Sequence, residues 1–161
     1  MDKLKIEDYI YSELLMNDQK VALALIEYLR ANEMQFIKDN GYWKDKIYYI
    51  VKYKTECVCF IAIKDPDEKD NRWTVWSDDM QSSVLENFKI EQNLKEAAWK
   101  HVDTCGNCGS CTGGRHKTIY GKDFNNVCRC TFRIDNPNTE DLMFMKKMVD
   151  IRIQEILVLT K

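Results

Sequence analysis

Apolar and polar positions along the chain change period several times, and each change marks an element. Residues 4–16 carry Leu4, Ile6, Tyr9, Ile10, Leu14 and Leu15 at loosely helical spacing. Asn17 offers an N-cap for a second helix. In that helix Ala22, Leu25, Ile26, Leu29, Phe36 and Ile37 recur at three and four, and Asn40-Gly41 supplies a stop.

A period of two then takes over. Residues 46–53 and 56–63 are rich in Ile, Val, Tyr and Phe and read as strands. Lys54-Thr55 joins them as a short hairpin turn without the Asn-Gly signature. Cys57 and Cys59 fall on one face with Ile61 and Ile63 and read as small apolar thiols in a sheet. A charged turn at 65–71 leads to a third strand, Trp73-Thr-Val-Trp76, with its indoles on opposite faces. Ser77-Asp78-Asp79 ends it, the acids being read as solvated.

Residues 80–90 show no period, and residues 91–101 return to a helix through Leu94, Ala97, Ala98 and Trp99. Thr118-Ile-Tyr-Gly121 reads as a short strand or turn. Residues 127–134 alternate, with Cys128, Cys130, Phe132 and Ile134 on the face expected to be buried. Past Asp135-Asn-Pro-Asn138, with Asn138 or Thr139 as cap, a last helix runs from Glu140 to about Leu157. Its stripe is Leu142, Met145, Met148, Val149, Ile153, Ile156 and Leu157.

This order fits an α+β fold, an antiparallel sheet of about four to five strands covered by helices, with a Gly/Cys-rich loop. A chain of 161 residues predicts one domain. Residues 1–40 form its N-terminal helices, 42–134 the sheet with an inserted helix and the loop, and 138–158 the C-terminal helix.

Composition narrows the function. A net charge of -2 exerts no general pull on nucleic acid, so no direct nucleic-acid binding is expected. No apolar run approaches the roughly 20 residues of a membrane span, and no signal peptide is visible. A cytoplasmic location follows as an expectation. In that reducing compartment seven cysteines, an odd number, suit metal or redox chemistry better than a disulfide framework.

The chemistry concentrates between His101 and Arg133, which holds five of the seven cysteines and both histidines. Cys105-Gly-Asn-Cys108-Gly-Ser-Cys111 places three thiols at intervals of three. Cys105-x2-Cys108 followed by glycine looks like half of a zinc-ribbon knuckle. Zinc takes four thiolate or imidazole ligands in a tetrahedron. Cys105, Cys108 and Cys111 supply three, and Cys128, Cys130, His116 or His101 the fourth. The later pair, Cys128-Arg-Cys130, is spaced more tightly than a ribbon's.

An iron–sulfur cluster is the less favoured cofactor, since the fourth cysteine and proline of a ferredoxin run are missing. Thiol–disulfide chemistry is another reading, with Arg115, His116 and Lys117 available to favour thiolates. The plain reading is reduced, packed thiols without a ligand. Arg115, His116, Lys117, Lys122, Arg129 and Arg133 also form a basic patch beside glycine-rich backbone, an arrangement that suits an anion as well as a solvated surface. Trp43, Tyr49, Trp73 and Trp76, with Arg133, form a candidate small-molecule pocket. Core packing explains most of the aromatics equally simply.

Tyr42-Trp43-Lys44, Trp73-Thr-Val-Trp-Ser-Asp-Asp79, the Cys105–Cys111 motif and Phe132-Arg-Ile-Asp-Asn-Pro137 resemble a group of uncharacterised bacterial proteins. They look like the C-terminal sensor part of some MerR- and AraC-type regulators. That resemblance implies a module that senses a small molecule or metal ion and has no chemistry of its own. The chain has no evident helix-turn-helix, so DNA binding would need a partner; a homodimer is compatible with the sequence. The expected function is therefore a binding or sensing domain with a cysteine-ligated zinc, the alternative being a small thiol oxidoreductase or metal-dependent enzyme.

Overall fold

The computed structural model describes residues 4–39, 47–65, 70–78, 89–106 and 113–159. Within them the elements are α1 (Ile6–Glu13), α2 (Met16–Ala31), β1 (Gln35–Lys38), β2 (Ile47–Tyr53), β3 (Glu56–Ile63) and β4 (Trp73–Ser77). They continue with α3 (Gln92–Lys100), β5 (Val102–Thr104), β6 (Arg115–Ile119), β7 (Lys122–Asp135) and α4 (Thr139–Leu159). The fold is α+β, with seven strands in the order β1-β2-β3-β4-β7-β5 and β6 paired to β7. That exceeds the four to five strands read from the sequence, because β1, β5 and β6 arise from stretches read as helix, loop or turn. Contacts divide the chain into two units, residues 1–75 with 134–161, and residues 76–133.

In the first unit α2 packs on α1 and α4, and α1 and α4 pack on β3. Ile6, Ile10, Leu25, Ile26 and Leu29 are almost wholly buried, as are Val51, Ile61, Ile63 and Trp73 from the sheet. Each such side chain contributes about 1.5–3 kcal/mol of hydrophobic stabilisation.

Helix α2 stops at Ala31, well short of the Asn40-Gly41 stop read from the sequence. Glu33 takes a left-handed φ of 62° and donates to Arg30 O, while Met34 N–H reaches back to Leu29 O. This is a Schellman closure in which Glu33 occupies the position glycine usually holds. Buried Met34 and Leu29 supply its apolar contact. Phe36 and Ile37 therefore belong to β1, antiparallel to β2. The start of α2 also differs: Leu15 is the N-cap, and Asn17 lies inside the helix.

Lys54 and Thr55 both have positive φ, 49° and 71°, so the β2–β3 hairpin closes through the primed turn its length requires. A bulge shifts the register between Val51 and Lys52, so that Val58 and Cys59 are both buried and Cys57 is half-buried. The single face read for Cys57 and Cys59 is thereby broken. The turn after β7 is pinned by Asn136, whose Oδ1 accepts from Arg72 N–H at 2.6 Å and whose N–H donates to Trp73 O at 2.7 Å. Helix α4 opens with a capping box. Asn138 Oδ1 accepts from Asp141 N–H, and the Asp141 carboxylate accepts from Asn138 N–H, both at 3.0 Å.

In the second unit β7 is flanked by β5 and β6, and α3 runs into β5. Val127, Phe132, Ile119, Ala98 and Leu94 form its core. Trp99 Nε1 donates to Ile119 O at 2.8 Å, tying α3 to β6. Tyr120 and Gly121, both at positive φ, turn β6 into β7.

Candidate functional site

The second unit contains Cys105, Cys128 and Cys130, and it departs from regular strand pairing where they lie. Val102 pairs with Phe132 and Thr104 with Val127, so on the β5 side four residues of β7, Cys128 to Thr131, stand opposite Asp103. Such an insertion bends a strand and frees residues from the ladder. Thr131 sits at φ 60°, and with that the simple alternation read for residues 127–134 ends. Val127, Thr131, Phe132 and Ile134 are buried; Cys128 and Cys130 are only half-buried.

Side chains take over the carbonyls of the bulge. Lys117, on β6, is buried, and its ammonium points at Thr131 Oγ1 (2.5 Å), Arg129 O (3.3 Å) and Cys128 O (3.4 Å). Ser77 Oγ donates to Cys130 O and accepts from Phe132 N–H. Three consecutive carbonyls are thus held by a lysine and a serine.

The two thiols of the bulge interact. Cys128 is pulled down to about 6, chiefly by a side-chain hydrogen bond from Cys130, with the Cys130 backbone N–H and the Lys117 charge acting in the same sense. Partial burial and the Asp103 carboxylate oppose it. Low thiol values of this kind mark cysteines suited to metal binding or nucleophilic attack.

Cys105 follows β5 directly. Its N–H donates to Asn126 O at 2.8 Å, which puts it beside β7 two residues before Cys128. Gly114 makes this approach feasible. A Cβ there would lie 2.2 Å from Asn126 Oδ1 and 2.8 Å from Cys105 Cβ. Asn126 itself has φ 54°.

Cys108 and Cys111, the other two thiols of the motif, lie outside the described residues, as does Trp43. Among the described residues no three His, Cys, Asp or Glu side chains gather as a metal site. His116 is exposed, with Nε2 3.9 Å from Asp123 Oδ1. It neighbours Lys117 on β6, and adjacent strand residues point to opposite faces. His101 caps α3, and its carbonyl accepts from Arg133 N–H.

The aromatic candidates divide between the units. In the first, Tyr49 and Trp73 are buried, and neither the Tyr49 hydroxyl nor Trp73 Nε1 has a partner among the described residues. Burial, reinforced by Tyr9, Glu7 and Asp8, pushes Tyr49 up to about 12. In the second, the Arg133 guanidinium lies 5.4 Å from the centre of the Trp76 ring. Asp78, read as solvated, is buried.

The sequence reads Lys117 as a cation near the thiols and part of a basic patch; what that reading lacked is its burial. Its signal was available: it stands two positions before buried Ile119, on the same face of β6. Compared with family models, curated proteins and solved structures, the chain matches none.

Proposed function

We propose that the second unit is a cysteine-based binding or sensing module that takes a soft metal ion, zinc foremost. Cys128 and Cys130 would supply two thiolates, and the Cys105-x2-Cys108-x2-Cys111 segment the remaining two. The observation that carries this reading is the Cys128–Cys130 pair. It has a hydrogen bond between the two side chains and a Cys128 thiol that ionises near neutral pH without a metal. A thiolate pair is the donor set that soft ions select. The hydrogen bond from Cys105 to Asn126 supports it further, since it sets the first cysteine of the motif beside β7. An iron–sulfur cluster would draw on the same donors. His116, engaged with Asp123, is the weaker candidate.

The module would work in a reducing cytoplasm, where these thiols stay available. Among the described residues no helix is long and apolar enough to cross a membrane. The resemblance to regulator sensor parts suits a domain whose occupancy is read by a partner.

A second reading is favoured by the low Cys128 value: thiol–disulfide exchange. The Cys128 thiolate attacks a substrate disulfide and displaces one thiolate. Cys130 loses its proton and displaces the other, leaving a Cys128–Cys130 disulfide and a substrate reduced by two electrons.

Elemental analysis of freshly purified protein, with an optical spectrum and thiol titration, separates the readings. One zinc per chain with protected thiols supports the binding module. Visible absorption with bound iron replaces zinc by a cluster. Metal-free protein that readily forms the Cys128–Cys130 disulfide transfers the site to redox chemistry.

A further inference from the structure

We propose that Lys117 is the positioning residue of the thiol site: its buried ammonium holds the Cys128–Thr131 bulge in the shape that presents both sulfurs together. The inference rests on the reading of Cys128 and Cys130 as one site, but not on zinc occupying it.

Opposite Asp103 one residue of β5 serves four of β7, so pairing with β5 does not hold Cys128 to Thr131 in a regular register. A bulge left with free carbonyls samples many shapes, and two thiols on it would meet only part of the time. In this chain the carbonyls of Cys128 and Arg129 and the hydroxyl of Thr131 all face one ammonium. An ammonium carries three protons, and three oxygens surround it here. Ser77 holds the next carbonyl, that of Cys130.

Burying a lysine is costly unless it is well hydrogen-bonded. Methionine or leucine would fill the same space on the face of β6 that Lys117 shares with Ile119 without that cost. A lysine there is explained by the backbone oxygens it gathers, and those oxygens belong to the two residues flanking and carrying the first thiol. Partners that orient a ligand in this way act on affinity without touching the ligand.

Phenylarsine oxide tests the proposal, because its trivalent arsenic bridges two adjacent thiols and needs no zinc. Metal-free full-length protein is titrated with it and then treated with maleimide, and mass spectrometry maps the cysteines that stayed protected. Wild type protects Cys128 and Cys130 together. Lys117→Met is expected to weaken that capture by about tenfold or more while keeping a cooperative thermal transition. Thr131→Val, which keeps the lysine but removes its shortest contact, is expected to weaken it less. Capture by Lys117→Met at wild-type strength overturns the proposal. So does loss of capture together with the thermal transition in Lys117→Met when Thr131→Val stays at wild-type strength, since the lysine then serves only the fold. Wild type that captures the arsenical yet binds no zinc sinks the metal reading and leaves this one standing.

Discussion

Both units bury charged side chains, but they stabilise them by different means. In the first, charges meet opposite charges or strong donors within regular elements. Arg152 and Glu155, both buried on α4, pair at 2.6 Å, and Arg152 Nε also donates to Cys57 O at 3.0 Å. Asp18 on α2 meets Arg72, and Tyr28 donates to Asp150. Burial and the Asp150 carboxylate push Tyr28 up to about 12. In the second unit, Lys117 is ringed by backbone and hydroxyl oxygens that an irregular strand turns toward it. The first arrangement joins helix to helix and helix to sheet. The second spends its polar groups on the shape of a short segment that carries two thiols. Irregular backbone costs stability, and it tends to persist where a side chain must be aimed. On this comparison the proposed thiol site falls in the second unit, and the first supplies a regularly paired, packed core.

The sharpest way to break the comparison is to attack the scaffold. Arg152→Met leaves Glu155 buried without its 2.6 Å partner and should cost about 3–5 kcal/mol in urea unfolding. Arg152→Met with Glu155→Met should recover most of that. In either variant the reactivity of Cys128 should stay as in wild type. A variant that stays folded but loses that reactivity would show that the chemistry is not confined to the second unit.

The next effect is on rate. Cys128 sits at about 6 against an ordinary 9.0, so in metal-free protein it is mainly thiolate at neutral pH. Its alkylation should level off above roughly pH 7, where an ordinary thiol's rate is still climbing toward 9. The linkage has a fixed sign. The folded value is depressed, so the stability contributed by this thiolate is complete above about 9 and lost as pH falls through about 6. Cys130→Ala, which removes the side-chain hydrogen bond, should move the alkylation profile upward.

Gly114→Ala comes next. Its methyl would enter the space of Asn126 Oδ1 and Cys105 Cβ. Overpacking of this kind costs about 1–3 kcal/mol. Limited proteolysis should show the second unit loosened, with Cys59 in the first still protected from maleimide. Asn138→Ala, which removes the α4 cap, should cost about 1 kcal/mol in thermal or urea unfolding. Glu33→Gly should act in the opposite sense and raise stability by up to about 1 kcal/mol, because glycine tolerates the φ of 62°.

How much of this was legible in the sequence depended on whether a local signal existed. The β2–β3 hairpin, α3, the Asn138 cap and the strand after Val127 all announce themselves by period or capping residue. The end of α2 does not, since Glu33 closes it where a glycine would have been the sign, and Phe36 and Ile37 happen to continue the helical spacing from Leu29. The bulges at Cys57–Val58 and Cys128–Thr131 are equally silent, because only a partner strand defines a register shift. At the site, the Cys128 and Cys130 spacing was readable as a pair on one strand. Lys117 was readable as a basic neighbour of the thiols, but its burial rested on one cue, its spacing from Ile119, which the charges of Arg115, His116 and Lys122 around it obscure.

X-ray absorption at the zinc edge, on protein purified without added metal, tests the central claim most directly. A shell of three or four sulfurs at about 2.3 Å is expected, falling by two in the Cys128→Ser, Cys130→Ser double variant. Zinc surrounded only by nitrogen and oxygen, or a sulfur shell that the double variant leaves intact, would contradict it.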